Sequence, residues 1–278
     1  VVGYDKILEA LEAEAGRRPE MADTIELYRK LIECQADVQA LQSGSGLGTE
    51  EAASRLEQGQ PLLSPETAEI DPETFAELCS RIGFTLAQQQ RELVKPLALI
   101  HAWLRERRQE IGTLAVDYLR EGRVGKGEEA GLEGPLLSFI FTHSLRPLLR
   151  AQAAALSGYV NDSQWYRGRC PICGGEPDIA ALERSSGQRR LLCSRCDSEW
   201  AYLRIACPFC GNEDPSQLSY YPSDDKVYRI NVCERCHRYL KTVDRRETAG
   251  ERLLPVERIL TVGMDFAAQK AGYRGDRE

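Results

Sequence analysis

Eight cysteines of this chain fall as four Cys-x-x-Cys pairs in one short stretch, a spacing that makes metal ligands. Cys170-Pro-Ile-Cys173-Gly174 is followed by nineteen residues, then Cys193-Ser-Arg-Cys196, ten residues, Cys207-Pro-Phe-Cys210-Gly211, twenty-two residues and Cys233-Glu-Arg-Cys236. A Cys-x-x-Cys turn brings two thiolates to one side with backbone amides aimed at the sulfurs. Gly174 and Gly211 permit the positive φ that such a knuckle often needs. Two knuckles joined by a hairpin close a tetrahedral site, the zinc-ribbon or rubredoxin arrangement. Sequential pairing gives one site from Cys170, Cys173, Cys193 and Cys196 and a second from Cys207, Cys210, Cys233 and Cys236. A cross-brace, first pair with third and second with fourth, uses the same ligands. Working disulfides would require all four pairs to share a redox role.

Four sulfurs leave no open coordination position, so these sites are expected to be structural and not Lewis-acid catalysts. A β-module this small lacks the core to fold alone, and each ion is expected to supply on the order of 10 kcal/mol. Zinc is the default ion, and iron fits the same ligands. From Trp165 to Glu247 there are 14 Lys and Arg against 12 Asp and Glu. The arginines at 189, 190, 195, 235, 238, 245 and 246 read as strand edges and companions to negative sulfur clusters.

The elements that must position these sites divide the chain in two. The expected class is α+β: an all-helical N-terminal bundle, two consecutive zinc-ribbon or rubredoxin-like β modules and a final short helix. The expected boundaries are 1–163, 164–204, 205–248 and 249–278. Met21 to Leu41 places Ile25, Tyr28, Leu31, Ile32, Gln35, Val38 and Leu41 on one helical face, with Gln35 the polar interruption. Asp71-Pro72-Glu73 supplies a cap, a first-turn proline and a first-turn acid ahead of Phe75, Leu78, Cys79 and Ile82. A long helical pattern covers Thr85 to Arg120 and is expected to bend near Pro96. Gly122 to Gly134 reads as a loop. Pro135 to Leu156 is apolar around most of its circumference, which predicts a central position, with Pro147 a possible kink. Beyond Val160 the pattern changes to short strands, among them Trp200–Ala206, Val227–Val232 and Arg238–Val243, and a last helix follows Pro255.

The composition is that of a globular protein: 278 residues, 42% hydrophobic and 28% charged, with net charge −7. Its pI of about 5.3 argues against non-specific nucleic-acid binding. Arg146 and Arg150 interrupt the most apolar stretch, and the first twenty residues carry five acids without an apolar run. Neither a membrane span nor a signal peptide is expected, which points to the cytoplasm.

A catalytic constellation is harder to find. The three histidines, His101, His143 and His237, read as structural, and Cys34 and Cys79 as small core thiols. There is no phosphate loop, nucleophile elbow or zinc-protease helix, so an enzyme is not expected.

The four knuckles, with Glu199-Trp200 after the second and Tyr239-Leu240-Lys241 after the fourth, resemble the formate dehydrogenase accessory protein family, FdhE. Gly59-Gln60-Pro61-Leu62-Leu63, Met264-Asp265-Phe266-Ala267 and Gly272-Tyr273-Arg274 are also similar to that family. The resemblance implies a cytoplasmic, non-enzymatic accessory factor. It would bind the catalytic subunit of a molybdenum- or tungsten-dependent formate dehydrogenase and be needed for its assembly or activity. It also implies rubredoxin-like ribbons, which keeps a redox or electron-transfer protein as the alternative; a nucleic-acid-binding ribbon comes third. Trp200, Tyr202 and Arg204, on the segment linking the ribbons, are the expected partner contacts, in a groove between helices and ribbons.

Overall fold

The structure is a computed structural model, and it describes residues 1–38, 47–162 and 164–275. Eight α-helices precede the strands among these residues: α1 (Tyr4–Ala15), α2 (Ala22–Ala36), α3 (Thr49–Glu57), α4 (Pro72–Gln89), α5 (Val94–Glu106), α6 (Ile111–Glu121), α7 (Gly125–Glu129) and α8 (Gly134–Leu156). Six strands follow: β1 (Pro177–Leu182), β2 (Arg189–Cys193), β3 (Glu199–Tyr202), β4 (Leu218–Pro222), β5 (Tyr228–Cys233) and β6 (Arg238–Asp244). Helices α9 (Leu254–Leu260) and α10 (Val262–Lys270) close the chain.

Helix α8 is the axis of the bundle and packs on α2, α4 and α6. Phe141 meets Phe75 edge-on at 5.1 Å and Tyr118 at 5.5 Å. Pro147 lies inside α8, where it has no N–H to offer the carbonyl of His143 one turn back. Gln35 of α2 donates to that carbonyl at 2.8 Å from Nε2, and the same nitrogen lies 3.3 Å from His143 Nδ1. The polar interruption in the α2 stripe therefore repairs the proline's lost hydrogen bond. The expected reach of this helix to Leu41 falls outside the described residues beyond Val38.

Asp71 caps α4 as expected, accepting from Thr74 N at 2.8 Å. The long helix expected from Thr85 to Arg120 is instead three helices, α4 to α6. The first break comes at Gln90, in extended conformation, and the second near Arg107. An unbroken helix of that length would run about 54 Å, well past the core. The breaks let α5 and α6 return against α4. Pro96 sits in the first turn of α5, where its missing N–H costs nothing. The expected loop from Gly122 to Gly134 contains the short α7, and the last helix is split in two at Thr261.

The strands form one sheet, ordered β3-β2-β1-β6-β5-β4. Each ribbon is an antiparallel three-stranded unit, and the two join through parallel pairing of β1 with β6, Ile179 opposite Lys241 through Leu182 opposite Asp244. The linking segment is strand only from Glu199 to Tyr202 and forms an outer edge. One face buries Ile179, Ala181, Leu192, Tyr228 and Val243 with Leu254 of α9. The other carries Ala180, Leu191, Trp200 and Leu240 into the main core shared with the helices. Helix α9 also packs Val256, Ile259 and Leu260 against Ile7, Leu11, Ile25 and Ile32, which wedges it between the sheet and helices α1 and α2. Among the described residues no helix is long and apolar enough to cross a membrane.

Polar contacts fix the angle between bundle and sheet. Asp197, directly after the knuckle cysteine Cys196, is buried and pairs with Arg258 of α9 at 2.7 Å, with Arg150 of α8, and with Arg146 of α8 at 3.8 Å. Burial alone would raise its carboxyl pKa; the arginines outweigh that and hold it below the usual carboxylate range. Asp197→Ala leaves buried guanidiniums uncompensated and is expected to cost about 3–5 kcal/mol, read as a lowered chemical-denaturation midpoint. Burial, aided by Arg146 and Arg258, pulls the His143 pKa well below its ordinary value. A depressed folded pKa gives stability that is present above about pH 6.5 and lost as the pH falls and the unfolded chain takes up the proton. Between about pH 8 and pH 5.5 the stability of His143→Gln should therefore fall less than that of the parent chain.

Candidate metal centres

Three of the four knuckles are tight turns seen to close on their first cysteine. Gly174 N donates to Cys170 O at 3.0 Å, Gly211 N to Cys207 O at 2.9 Å and His237 N to Cys233 O at 2.8 Å. The residue after the second cysteine has positive φ in all four knuckles: 68° at Gly174, 53° at Asp197, 70° at Gly211 and 52° at His237. Glycine serves the first knuckle of each ribbon. The second uses Asp or His, whose side chains tolerate this region better than most. Asp197 exploits the turn to aim its carboxylate at the helices, and this was the signal available in the sequence for a functional residue that periodicity missed.

These turns gather the sulfurs into two groups, Cys170, Cys173, Cys193 and Cys196, and Cys207, Cys210, Cys233 and Cys236, each with its ligand atoms within 4.8 Å of one another. The grouping is sequential. Sγ separations are 3.6 Å for Cys170–Cys196, 3.4 Å for Cys173–Cys193 and for Cys173–Cys196, 3.6 Å for Cys207–Cys236 and 3.7 Å for Cys210–Cys233. A disulfide would need about 2.05 Å. Four sulfurs about 2.3 Å from a central ion lie about 3.8 Å apart, so both groups fit a tetrahedral metal ion. Amides support them: Ile172 N lies 3.4 Å from Cys170 Sγ and Arg195 N 3.4 Å from Cys193 Sγ. Ser198 Oγ approaches Cys196 Sγ at 3.2 Å, and Asn212 Nδ2 approaches Cys233 Sγ at 3.7 Å. Burial pushes the Cys170 and Cys207 thiols up, and Cys236 to about 11, so a cation is what makes the thiolate form favourable here.

The two centres sit in different surroundings. The first is clamped from both sides. Leu62 N and Leu63 N donate to Pro171 O and Ile172 O at 2.9 and 2.7 Å, so the Pro61-Leu62-Leu63 segment pairs with the first knuckle. Arg146 donates to Ser194 O at 2.7 Å, Arg258 to Cys193 O at 2.8 Å, and Arg195 to Leu119 O at 2.9 Å. In the second centre Cys210 and Cys236 are half-buried. Arg238 lies 3.7 Å over the Phe209 ring, and the tail pairs beside the fourth knuckle through Arg274 N to His237 O at 2.8 Å.

The remaining expected site residues separate. Trp200 is fully buried, its Nε1 donating to Arg167 O at 2.8 Å; Tyr202 is buried and donates to Cys207 O at 3.2 Å. Trp200 thus ties the linking strand to the segment ahead of the first knuckle and Tyr202 ties it to the start of the second ribbon, and only Arg204 of the three is exposed. A groove of about 820 Å³ does lie between helices and ribbons, bordered by Pro65, Leu119, Arg120, Arg167, Cys173 and Tyr202. His143 is buried and His101 and His237 are exposed, in three separate places.

Removing one ligand should separate the centres. Cys233→Ser is expected to lower the bound metal from two ions to one per chain while the helical part still unfolds cooperatively. Cys193→Ser should also lose one ion and additionally destabilise the helices, as read by metal analysis and circular-dichroism melting.

Comparison with known proteins agrees with this architecture. Residues 169–204 match the family model for the FdhE central domain. An FdhE homolog from Aquifex aeolicus is 28% identical over 233 residues, covering 82% of this chain and 76% of that protein. An FdhE homolog from Shewanella oneidensis is 38% identical over 74 residues, 26% of this chain and 24% of that protein. The crystal structure of the FdhE protein from Pseudomonas aeruginosa has the same fold, with a TM-score of 0.64 at 22% identity, over 98% of this chain and 92% of that one. Family match, relatives and fold together bear out the resemblance of this chain to the FdhE family.

Proposed function

We propose that this protein is an accessory factor that binds the catalytic subunit of a molybdenum- or tungsten-dependent formate dehydrogenase and supports its maturation in the cytoplasm. The observation that carries the reading is the FdhE match across the knuckles that form the first sulfur centre. The architecture is consistent with it. Eight sulfurs in two closed sets leave no position for a substrate, so the ions, zinc in this reading, act as staples that hold a rigid surface. The groove between helices and ribbons is the proposed docking surface. Of the expected partner contacts Tyr202 lines its wall, whereas Trp200 lies buried and Arg204 is not among the lining residues. On the helical half, Phe84 and Val94, 65% and 47% exposed, line an apolar cleft between α4 and α5 of the kind that partner proteins cover.

Co-purification from the host tests the proposal. The tagged chain should retain the formate dehydrogenase catalytic subunit, and cells lacking the chain should lose formate dehydrogenase activity. Arg120→Glu combined with Arg167→Glu changes two exposed groove residues and should abolish retention while both metal ions remain. Retention unchanged by that double variant would remove the groove from the interface. A coloured, reversibly reducible protein would favour iron and the electron-transfer alternative over zinc staples.

A further inference from the structure

The sheet face that carries Ala180, Leu191 and Leu240 also holds a second cavity, of about 400 Å³, walled on one side by the connector from Arg204 to Phe209. Strand alternation decides what lines it: Leu182 on β1, Leu240 and Thr242 on β6, Arg229 and Asn231 on β5, and Tyr220 on β4. Five arginines border it, Arg189, Arg204, Arg229, Arg238 and Arg246. Two carboxylates answer three of them: Asp244 pairs with both Arg229 and Arg246 at 2.6 Å, and Glu176 pairs with Arg238 at 2.8 Å. Arg189 and Arg204 have no carboxylate partner among the described residues. Arg189 is only 4% exposed, and its one hydrogen bond to the described residues runs from Nη1 to Ala206 O at 2.9 Å.

A guanidinium buried without an anion is costly, because water no longer solvates it and nothing replaces that solvation. Burial lowers the Arg189 pKa to about 10, and the neighbouring Arg229 acts in the same direction. Tyr202 and Cys207 offset part of its charge, and Cys207 and Cys233 of the second metal centre line one end of the cavity. Among the carboxylates of the described residues, Asp244 alone pairs within the group Arg189, Arg204, Arg229 and Arg246, and it answers only Arg229 and Arg246. Asn231 adds a donor: its Oδ1 accepts from Thr242 at 2.7 Å, leaving Nδ2 without a partner among the described residues.

This is a donor-rich, acceptor-poor wall. A phosphate monoester brings three acceptor oxygens to the Arg189 and Arg204 guanidiniums, which no carboxylate among the described residues answers. The rest of the cavity suits an apolar, flat group: Leu182, Leu240 and Phe209 line it, and the Tyr220 ring lies 5.1 Å from the Arg229 guanidinium. We infer that this cavity binds a small phosphate monoester bearing a flat ring, of mononucleotide type. Arg189, Arg204, Arg229 and Arg246 surround the phosphate, and Tyr220 and Leu240 contact the ring. The site is independent of the formate dehydrogenase reading and stands or falls without it.

Calorimetric titration of the full, metal-loaded chain tests it, with adenosine monophosphate and flavin mononucleotide as probes against adenosine, riboflavin and inorganic phosphate. At least one mononucleotide is expected to bind in the micromolar range, with its unphosphorylated parent and inorganic phosphate weaker by about tenfold or more. Arg204→Ala and Arg246→Ala alter exposed side chains and should each weaken binding by about tenfold. Arg235→Ala, on the exposed fourth knuckle, should change nothing. Any of four results would overturn the inference: no binding of either mononucleotide up to about 1 mM; equal affinity for inorganic phosphate; full affinity in Arg204→Ala; or much tighter, steeply salt-dependent binding of a short single-stranded RNA.

Discussion

The structure turns on one carboxylate. Asp197 stands where a sulfur knuckle turns back, and Arg146, Arg150 and Arg258 reach it from two helices that are far apart in the chain. The arginines tie neighbouring backbone as well: Arg146 holds Ser194 O, Arg258 holds Cys193 O and Asp178, and Arg150 reaches Val2 O. Such a cluster is a weak source of net stability, since desolvating its members offsets much of the attraction. It does make the docking angle specific, because any other seating of the sheet would strand buried charges. Ligand geometry at the first centre and the packing of the bundle are thereby coupled through one side chain.

The two halves of the fold were legible in the sequence for different reasons. Cys-x-x-Cys spacing encodes the knuckles locally, and the hairpins between them follow from chain length, so two small β modules could be read directly, while the structure decides for sequential grouping and for three strands in each. Helix α8 announced itself by its apolar circumference. The arginines within it read only as interruptions, because their partner lies 47 residues away from Arg150. Gln35 was visible as a polar interruption and Pro147 as an oddity; their relation needed three dimensions. The break at Gln90 was missed because no glycine or proline marks it, and the packing of α5 and α6 on α4 decides it. The joining of the ribbons through β1 and β6 was equally hidden, since a parallel pairing between distant strands has no local signal. Trp200 and Tyr202, expected on the linking strand as partner contacts, are both buried, Trp200 donating to Arg167 O and Tyr202 to Cys207 O.

The two centres divide the labour. The first is enclosed by helices and Pro61-Leu62-Leu63, and it fixes the frame. The second has two half-buried cysteines and an edge strand, β4, whose Tyr220 and Tyr221 face solvent. Rigid support and accessible surface thus fall to two consecutive ribbons built on the same knuckle pattern.

The parallel seam between β1 and β6 has a consequence for how the chain is born. Residues 179–182 wait for residues 241–244, and the Asp197 cluster stays open until Arg258 arrives. On a ribosome the helices and the first knuckles emerge long before these partners, so the assembly closes only after Arg258 has emerged. A truncated product therefore exposes an unpaired strand edge and an incomplete buried ion cluster on α8, features that favour its removal by proteolysis.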